Sequence, residues 1–339
     1  MKYAAFGEIM LRLSPPGYGR FLQDNSFDAC FGGSEANVLL SLSAFGNETK
    51  YITKLPENEI ADACIRELKG FGVDTSGIAR GGERMGIYFL EKGASLRPGK
   101  VIYDRANSSV SKASPEDFDW DKLLDGADWF HYTGITPALG DNVAAILLDA
   151  LKAAKSKGIK VSCDLNYRSK LWSKEKAREV MTALMPYTDV LIANDGSLND
   201  VFGIRSGDEY VYGEKLENDG YINIAKQAAE KFGFECVALT YRESMSASDN
   251  NYAGMLYKDG KAYFSSIFPV HIVDRVGGGD SFAAGLLHAL GKYPDYNDVI
   301  GFAAAAGALK HTVEGDFNRV TENEVLSVMK GNTNGLVRR

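Results

Sequence analysis

Three consecutive glycines that run into an aspartate form the segment with the clearest chemical potential. Gly277, Gly278 and Gly279 directly precede Asp280, and the small and apolar residues at 281–290 predict a helix that begins here. Because glycine has no Cβ, the backbone N–H groups of such a segment can converge on a ligand. A helix N-terminus adds unpaired N–H groups and the positive end of the helix dipole. The segment therefore predicts an anion-binding site beside a carboxylate.

Asp280 has the chemistry of a general base at that site. A base there can take a proton from a hydroxyl while the N–H groups of the three glycines stabilise a transferring phosphoryl group. The helix dipole favours the ionised carboxylate by up to about 2 kcal/mol. The alternative is that Asp280 only caps the helix, a role that aspartate also fills well.

A second pair of glycines, Gly32 and Gly33, also opens a predicted helix, at 36–45. Gly33 permits a close backbone approach, and Asn37 lies one turn into the helix with an amide that can donate and accept hydrogen bonds. We predict that these three residues contact a ligand. A plain loop-to-helix cap is the alternative.

The motifs of three other enzyme classes are absent from the sequence. There is no G-x-x-x-x-G-K-[ST] P-loop and no G-x-S-x-G nucleophile elbow. No G-x-G-x-x-G follows the first predicted strand, so a Rossmann dinucleotide site is unsupported. The two glycine segments therefore remain as the candidate ligand sites.

The composition excludes several classes of partner. The chain has 339 residues, with 45 acidic and 38 basic side chains and a net charge of −7. Because phosphate neutralisation supplies most nucleic-acid affinity, an acidic chain is a poor nucleic-acid binder. Four scattered cysteines without a C-x-x-C pair or a Cys/His cluster are typical of a reduced, cytoplasmic protein without structural zinc. No apolar run reaches the ~18 residues of a membrane span.

Strands and helices alternate along most of the chain, which predicts a parallel sheet covered on both faces, with ligands at the carboxyl ends of its strands. Two segments, 11–31 and 84–108, break the alternation with apolar runs and turn-rich connections. We predict that they form a small β lid on an α/β domain of residues 1–10, 32–83 and 109–339. Long surface loops are the alternative.

The two glycine segments also carry a resemblance to a known family. Residues 274–285 resemble the D-T-x-G-A-G-D-x-F-x-x-G motif of the ribokinase-like (PfkB) carbohydrate kinases, and residues 32–37 are similar to that family's G-G-x-x-x-N motif. The resemblance implies a three-layer α/β/α fold with a β-sheet lid, ATP and Mg²⁺ as cofactors, and Asp280 as the catalytic base. It also implies that Gly277 and Gly279 contact the nucleotide.

Within that family the likeness is strongest to the 2-keto-3-deoxygluconate kinases. Residues 86–91, 103–106 and 164–168 carry it. It implies ATP-dependent phosphorylation of 2-keto-3-deoxygluconate at its terminal C6 hydroxyl. Tyr88 and Tyr103 would offer hydroxyls to the sugar from the lid.

An acidic protein needs local cations to bind a sugar acid, and Arg105 and Arg168 are the candidates. Guanidinium suits the geometry of a carboxylate, and Arg105 lies on the predicted lid while Arg168 follows a predicted strand. The alternative is that each arginine forms an ion pair with a nearby aspartate, Asp104 or Asp164.

The nucleotide side departs from the family pattern. Where the family has N-x-x-E, this chain has Asn194 and then Ser197, so Asn194 is carried over as a nucleotide contact but no acid is. The T-x-G-x-x-G loop lacks both glycines, which leaves Thr240 as a contact and Arg242 as a cation for the phosphates. Asn318 falls in the segment that the resemblance places by the adenine. No metal ligand is assigned.

Two other functions stay open. One is a kinase of another sugar, such as fructose, ribose or a different keto-deoxy acid. The other is a non-catalytic sugar-binding protein on a kinase fold, suggested by Ser197 and by the altered Thr240 segment, although the intact Asp280 argues against it. Because small hairpin sheets seldom stand alone in water, we also predict a homo-oligomer built through the lid.

Overall fold

The computed structural model of the protein describes residues 1–207 and 217–333. Fourteen strands lie in this part of the chain: β1 (Lys2–Phe6), β2 (Met10–Ser14), β3 (Asp28–Gly32), β4 (Glu48–Leu55), β5 (Asp74–Arg80), β6 (Gly86–Glu91), β7 (Lys100–Asp104), β8 (Trp129–Thr133), β9 (Lys160–Asp164), β10 (Val190–Ala193), β11 (Cys236–Ser244), β12 (Asp249–Lys258), β13 (Lys261–Phe264) and β14 (Phe268–His271).

Ten of these strands form a central sheet in the order β13-β12-β11-β10-β9-β8-β1-β4-β5, with β14 beside β12. Neighbours from β11 to β5 run parallel, whereas β12 to β14 pair antiparallel. Parallel neighbours need crossover connections. Helices supply most of them, so the expected mostly parallel α/β sheet is confirmed.

Ten α-helices accompany the strands in the described part: α1 (Ser34–Ala44), α2 (Glu59–Gly70), α3 (Trp120–Leu123), α4 (Asp141–Ser156), α5 (Lys174–Leu184), α6 (Asp195–Phe202), α7 (Asn218–Phe232), α8 (Gly278–Leu290), α9 (Tyr296–Lys310) and α10 (Glu322–Met329). None of the helices in the described part is both long and apolar enough to cross a membrane.

The helices cover both faces of the central sheet. Alternate residues of β1 show this, because Tyr3 and Ala5 belong to one buried apolar cluster and Ala4 and Phe6 to another. The first cluster contains residues of α1, α2, α8, α9 and α10, and the second contains residues of α4 to α7. The period of two along a strand therefore divides the core into two layers around the sheet.

A separate four-stranded sheet has the order β3-β2-β6-β7. It is mixed, since β2 pairs with β6 in parallel while its other pairs are antiparallel. Its strands come from the two segments that break the strand–helix alternation. The domain boundaries, and movement of this sheet as a lid, stay predictions.

The turn of the small sheet reaches across to the central sheet. Ser95 lies between β6 and β7, and its N–H donates to Ser248 Oγ at 2.9 Å. The N–H of Ala247 donates back to the carbonyl of Ser95 at 2.8 Å. Lys92, at the end of β6, forms an ion pair with Glu314. We call these contacts the seam; they join Lys92 and Ser95 to Ala247, Ser248 and Glu314.

Candidate active site

A cavity of about 1100 Å³ lies between the small sheet and the carboxyl ends of the central strands. Its walls include β6 and β7 on one side and the residues after β9 and β10 on the other. The start of α8 closes one end. This is the edge at which open parallel sheets bind their ligands.

Asp280 lies in the first turn of α8 and faces this cavity, with 8% of its surface exposed. Ser34 Oγ donates to one carboxylate oxygen at 2.5 Å, and Asn37 Nδ2 donates to the other at 2.7 Å. Burial raises the pKa of Asp280, and these two hydrogen bonds oppose that rise. The fold thus brings the two glycine segments together around one carboxylate.

The three glycines before Asp280 differ in whether a larger residue would fit in their place. Gly277 has a φ of +84°, and a Cβ there would collide with the carbonyl oxygen of Asp316. A Cβ on Gly278 would collide with the imidazole of His311, whereas one on Gly279 would meet open space. Gly277 and Gly279 line the cavity. Since α8 begins at Gly278, the N–H groups expected from a loop belong to the first turn of the helix itself.

Gly32 and Gly33 lie where other chain segments pack so closely that there is no space for a Cβ. A Cβ on Gly32 would collide with the carboxylate of Asp316, and one on Gly33 would collide with the backbone of Glu8. Both glycines line the cavity together with Asn37. Their tight packing positions the start of α1 against Asp280.

The two tyrosines of the small sheet differ in what their hydroxyls contact. Tyr88 and Tyr103 face each other across β6 and β7, with ring centres 6.1 Å apart, and both line the cavity. The Tyr88 hydroxyl donates to Asp316, with either carboxylate oxygen 2.6 Å away. The Tyr103 hydroxyl has no hydrogen-bond partner in the described residues.

Arg105 lines the cavity but is held in a buried ion pair. Its Nε donates to Glu8 Oε2 at 2.7 Å, and both side chains are at least nine-tenths buried. The expected alternative partner, Asp104, pairs with Arg84 instead. Because releasing Arg105 would leave the charge of Glu8 buried and unpaired, its guanidinium is not a free cation, and its contact with the substrate stays a prediction.

Arg168 follows β9, is exposed and lines the cavity. Within the described residues its guanidinium has no ion pair or hydrogen bond, and Asp164 is not its partner. Its positive charge opposes the rise in the pKa of Asp280. Arg168 is thus a cation available to an anionic ligand near the Asp280 carboxylate.

The nucleotide-side residues are placed by β10 and β11. Asn194, directly after β10, caps α6 through its side-chain oxygen, which accepts from the N–H of Ser197 at 2.7 Å. Thr240 and Arg242 line the cavity. The Arg242 guanidinium lies 5.8 Å from the centre of the Tyr252 ring, without a carboxylate partner in the described chain.

One expectation on the nucleotide side is wrong in its geometry, and another stays a prediction. The segment from Thr240 to Ser244 is not a loop, because β11 continues through it and pairs with β12. Without its two glycines the segment simply stays extended. Asn318 is buried and does not line the cavity, and its Nδ2 has no partner. Its neighbour Phe317 packs on Phe71, and a contact of Asn318 with the nucleotide stays a prediction.

A scan against family models matches the pfkB family carbohydrate kinase model over residues 2–322. The chain belongs to this family. It is 34% identical to a 2-dehydro-3-deoxygalactonokinase of Haloferax volcanii, over 98% of each chain. The solved structure of a 2-dehydro-3-deoxygluconokinase from Thermotoga maritima matches with a TM-score of 0.94 and 50% identity, again over 98% of each chain.

A more distant structure supports the fold alone. A protein described as a ribokinase II from Escherichia coli, solved in complex with ATP and Mg²⁺, matches with a TM-score of 0.81 at 19% identity, over 97% of this chain and 99% of that one. The pfkB kinase described here therefore has the ribokinase-like fold. It is a phosphotransferase that acts on an alcohol group.

Sequence reasoning assigned no individual role to Asn166 or Ser34 of this kinase site, although it noted Arg275 as a further cation beside the three glycines. Asn166 has a φ of +32°, and its Nδ2 donates to Ser34 Oγ at 3.1 Å, so an amide supports the hydroxyl that contacts Asp280. Both residues fall inside segments already noted for their resemblance to the family. Arg275, at the T of the family's D-T, also lines the cavity. Only tertiary structure shows which of these side chains meet.

No group of three His, Cys, Asp or Glu side chains in the described parts of the kinase could hold a metal ion. A cage made of protein ligands therefore does not fit this site. Mg²⁺ commonly binds through substrate phosphates and retained waters, and that mode needs no such cage.

Another carboxyl that lines the cavity, Asp164 at the end of β9, gives the kinase a testable pH response. Burial and the nearby charge of Asp280 raise the pKa of Asp164 to about 7, and the charge of Arg168 opposes the rise. An unfolded aspartate titrates near pH ~3.9. Between these two pKa values the folded state retains a proton that the unfolded state has lost. This group therefore destabilises the fold as the pH rises from about 4 to about 7.

Asp164→Asn is therefore expected to raise the unfolding temperature at pH 8 more than at pH 4.5, because asparagine does not titrate. Thermal melts at the two pH values measure this difference. The matched control is Asp141→Asn, which changes an exposed carboxyl at the start of α4. An equal effect of Asp164→Asn at both pH values would contradict the shift.

Proposed function

We propose that this kinase transfers the γ-phosphoryl group of ATP to the terminal C6 hydroxyl of 2-keto-3-deoxygluconate. The observation that carries the proposal is that the Asp280 carboxylate and the unpaired Arg168 guanidinium line one cavity. A base and a free cation are what an acidic sugar with a reacting hydroxyl requires. The Haloferax volcanii and Thermotoga maritima proteins reported above are both named as kinases of dehydro-deoxy sugar acids, which supports the same substrate class.

Asp280 is placed to accept the proton of the attacking hydroxyl. Ser34 and Asn37 each donate a hydrogen bond to it, which fixes the direction of the carboxylate. Because burial raises its pKa, it is a stronger base than an exposed aspartate. The N–H groups at the start of α8 would stabilise the charge of the transferring phosphoryl group.

The carboxylate of the sugar acid is assigned to Arg168. Guanidinium binds carboxylate through two parallel hydrogen bonds, and no internal partner competes for it in the described chain. Tyr103 offers an unused hydroxyl from the small sheet. Arg105 acts indirectly, since its pair with Glu8 braces the cavity wall.

ATP is assigned to the side of the cavity formed by β10, β11 and the start of α8. Thr240, Arg242 and Arg275 line that side, and Arg242 lacks a carboxylate partner in the described residues. Two guanidinium groups would replace the missing glycine loop as phosphate ligands. Mg²⁺ would neutralise charge on the ATP phosphates and keep several waters.

A coupled assay of ADP release over a panel of sugar acids and neutral sugars tests the proposal. We expect the highest kcat/KM with 2-keto-3-deoxygluconate. A clear preference for fructose or ribose would overturn the assignment of Arg168 and favour the alternative of a neutral-sugar kinase. Absence of sugar-dependent ADP release with every sugar would favour a non-catalytic sugar-binding protein.

We also propose that two copies associate through the outer face of the small sheet, in the cytoplasm. Phe89 and Ile102 are directly opposite each other on that face, and Leu13 pairs with Phe89 from the other side. Ile102 is 53% exposed. A second copy would cover this apolar face, as thin sheets require.

Light scattering at micromolar concentration is expected to give a mass above that of one chain. Ile102→Glu should return the protein to a monomer, because a charge would then be buried in the interface. Ile60→Glu, at an exposed position of α2 with 51% exposure, is the matched control and should leave the mass unchanged. A monomeric parent protein would refute the association.

A further inference from the structure

Arg12 is an arginine in the interior of the protein, with 2% of its surface exposed. It lies on β2 of the small sheet, between two buried positions, Met10 and Ser14. Its Nε donates to Ser14 Oγ at 2.8 Å. A buried charge is retained only where partners compensate for its lost hydration, so the contacts of this side chain need explanation.

The partners of Arg12 are two carboxylates from distant parts of the chain. Its Nη2 donates to Asp274 Oδ2 at 2.6 Å, and its Nη1 donates to Asp316 Oδ1 at 2.9 Å. Asp274 and Asp316 are 1% and 4% exposed. One guanidinium therefore joins three segments that are far apart in sequence.

The Asp274 carboxylate and the Asp316 backbone both contact the chain around Gly277. Asp274 accepts from the N–H of Val276 at 3.1 Å and from the N–H of Gly315 at 3.1 Å. A Cβ on Gly277 would collide with the carbonyl of Asp316, so these backbones are packed without space between them. Movement of the Asp274 carboxylate or of the Asp316 backbone would therefore disturb Gly277, the residue directly before α8.

We propose that Arg12 is a positioning residue, which couples the place of the small sheet to the geometry of the Gly277–Asp280 turn through Asp274 and Asp316. Arg12 does not itself line the cavity. Tyr88 completes the link, because its hydroxyl donates to Asp316 from the neighbouring strand β6. A closed small sheet thereby sets the turn for phosphoryl transfer. The inference rests on the function proposed above.

Arg12→Lys tests this role, because lysine keeps the charge but cannot bridge two carboxylates with the same planar fork. A displacement of the turn by about 1 Å can cost ~10²-fold in rate. We expect kcat to fall by that order while the KM values for sugar and ATP change less than about threefold. Arg84→Lys, which changes an arginine whose ion pair on the small sheet is partly exposed, is the control and should retain kcat.

Tyr88→Phe is the second variant, in case Arg12→Lys fails to fold. It removes one hydroxyl and leaves both ion pairs of Arg12 intact. A fall in kcat at unchanged KM in either folded variant supports the proposal, and a parental kcat in a folded variant overturns it. Asp280→Asn distinguishes failure of the coupling from failure of the proposed function. If Asp280→Asn is inactive while Arg12→Lys is fully active, only the coupling is refuted.

Discussion

Asp280→Asn is expected to lower kcat by about 10²–10⁴-fold, the range that general-base assistance supplies. Asparagine has nearly the shape of aspartate but cannot accept the proton of the attacking hydroxyl. The loss should appear in kcat and kcat/KM alike, because proton transfer belongs to the transition state. Steady-state kinetics with a coupled ADP assay measures it.

The fold should tolerate this substitution. The amide oxygen of the introduced asparagine can accept from Asn37 Nδ2, while its NH₂ can donate to Ser34 Oγ, which also accepts from Asn166. Since burial raises the pKa of Asp280, removing the charge should not lower the unfolding temperature above pH 7. A variant with parental turnover and an unchanged pH profile would remove Asp280 from the base role.

Asp295→Asn is the matched control for that experiment. Asp295 caps α9 through its side chain, as many helix-start aspartates do, and it does not line the cavity. Asparagine caps about equally well, so activity and stability should both be retained. The comparison separates a general effect of a helix-start carboxylate from a catalytic one.

Arg168→Met is expected to raise the KM for the sugar acid by about 10–150-fold, since a hydrogen bond to a charged group contributes ~1.5–3 kcal/mol. Methionine retains most of the side-chain length but removes the guanidinium. A neutral ketose should lose no affinity, because it offers no carboxylate to bind. Titrations of both sugars at saturating ATP measure the difference.

Lys170→Met serves as the control for Arg168→Met. Lys170 is an exposed cation two positions further along that does not line the cavity, and its amine donates to the carbonyl of Val101. A general loss of positive charge would affect both variants equally. Equal KM values for the sugar acid in the two variants would contradict a direct contact with Arg168.

The sequence allowed the glycine segments and the alternation of strands and helices to be predicted, because both depend on neighbouring residues. Gly277 has a φ of +84°, and the need for glycine in that backbone conformation at the start of a helix is visible in the local sequence. The mostly parallel sheet followed from the regular alternation. The placement of Asp280 beside Asn37 needed the resemblance between two distant motifs.

The pairing of charges could not be predicted in this way. Asp104 is adjacent to Arg105 in sequence, yet the strand geometry directs Arg105 inward to Glu8, which is distant along the chain. Arg12 was overlooked because a single charge within an apolar strand gives no indication of its partners. Ion pairs between distant segments depend on the tertiary fold, which short-range patterns do not encode.

The seam between the small sheet and the β11–β12 hairpin has a consequence for how the cavity exchanges its contents. Gly93 and Ser95 line the cavity from one side of the seam, and Ser246 and Ala247 line it from the other. Two hydrogen bonds join these sides, the ion pair of Lys92 with Glu314 ties the small sheet to the segment after α9, and each such interaction contributes ~1 kcal/mol or less. From these three contacts, opening the seam would cost at most about 3 kcal/mol, which corresponds to an open population of roughly 1%. We therefore expect molecules to enter and leave through brief openings of the seam, without unfolding of either sheet.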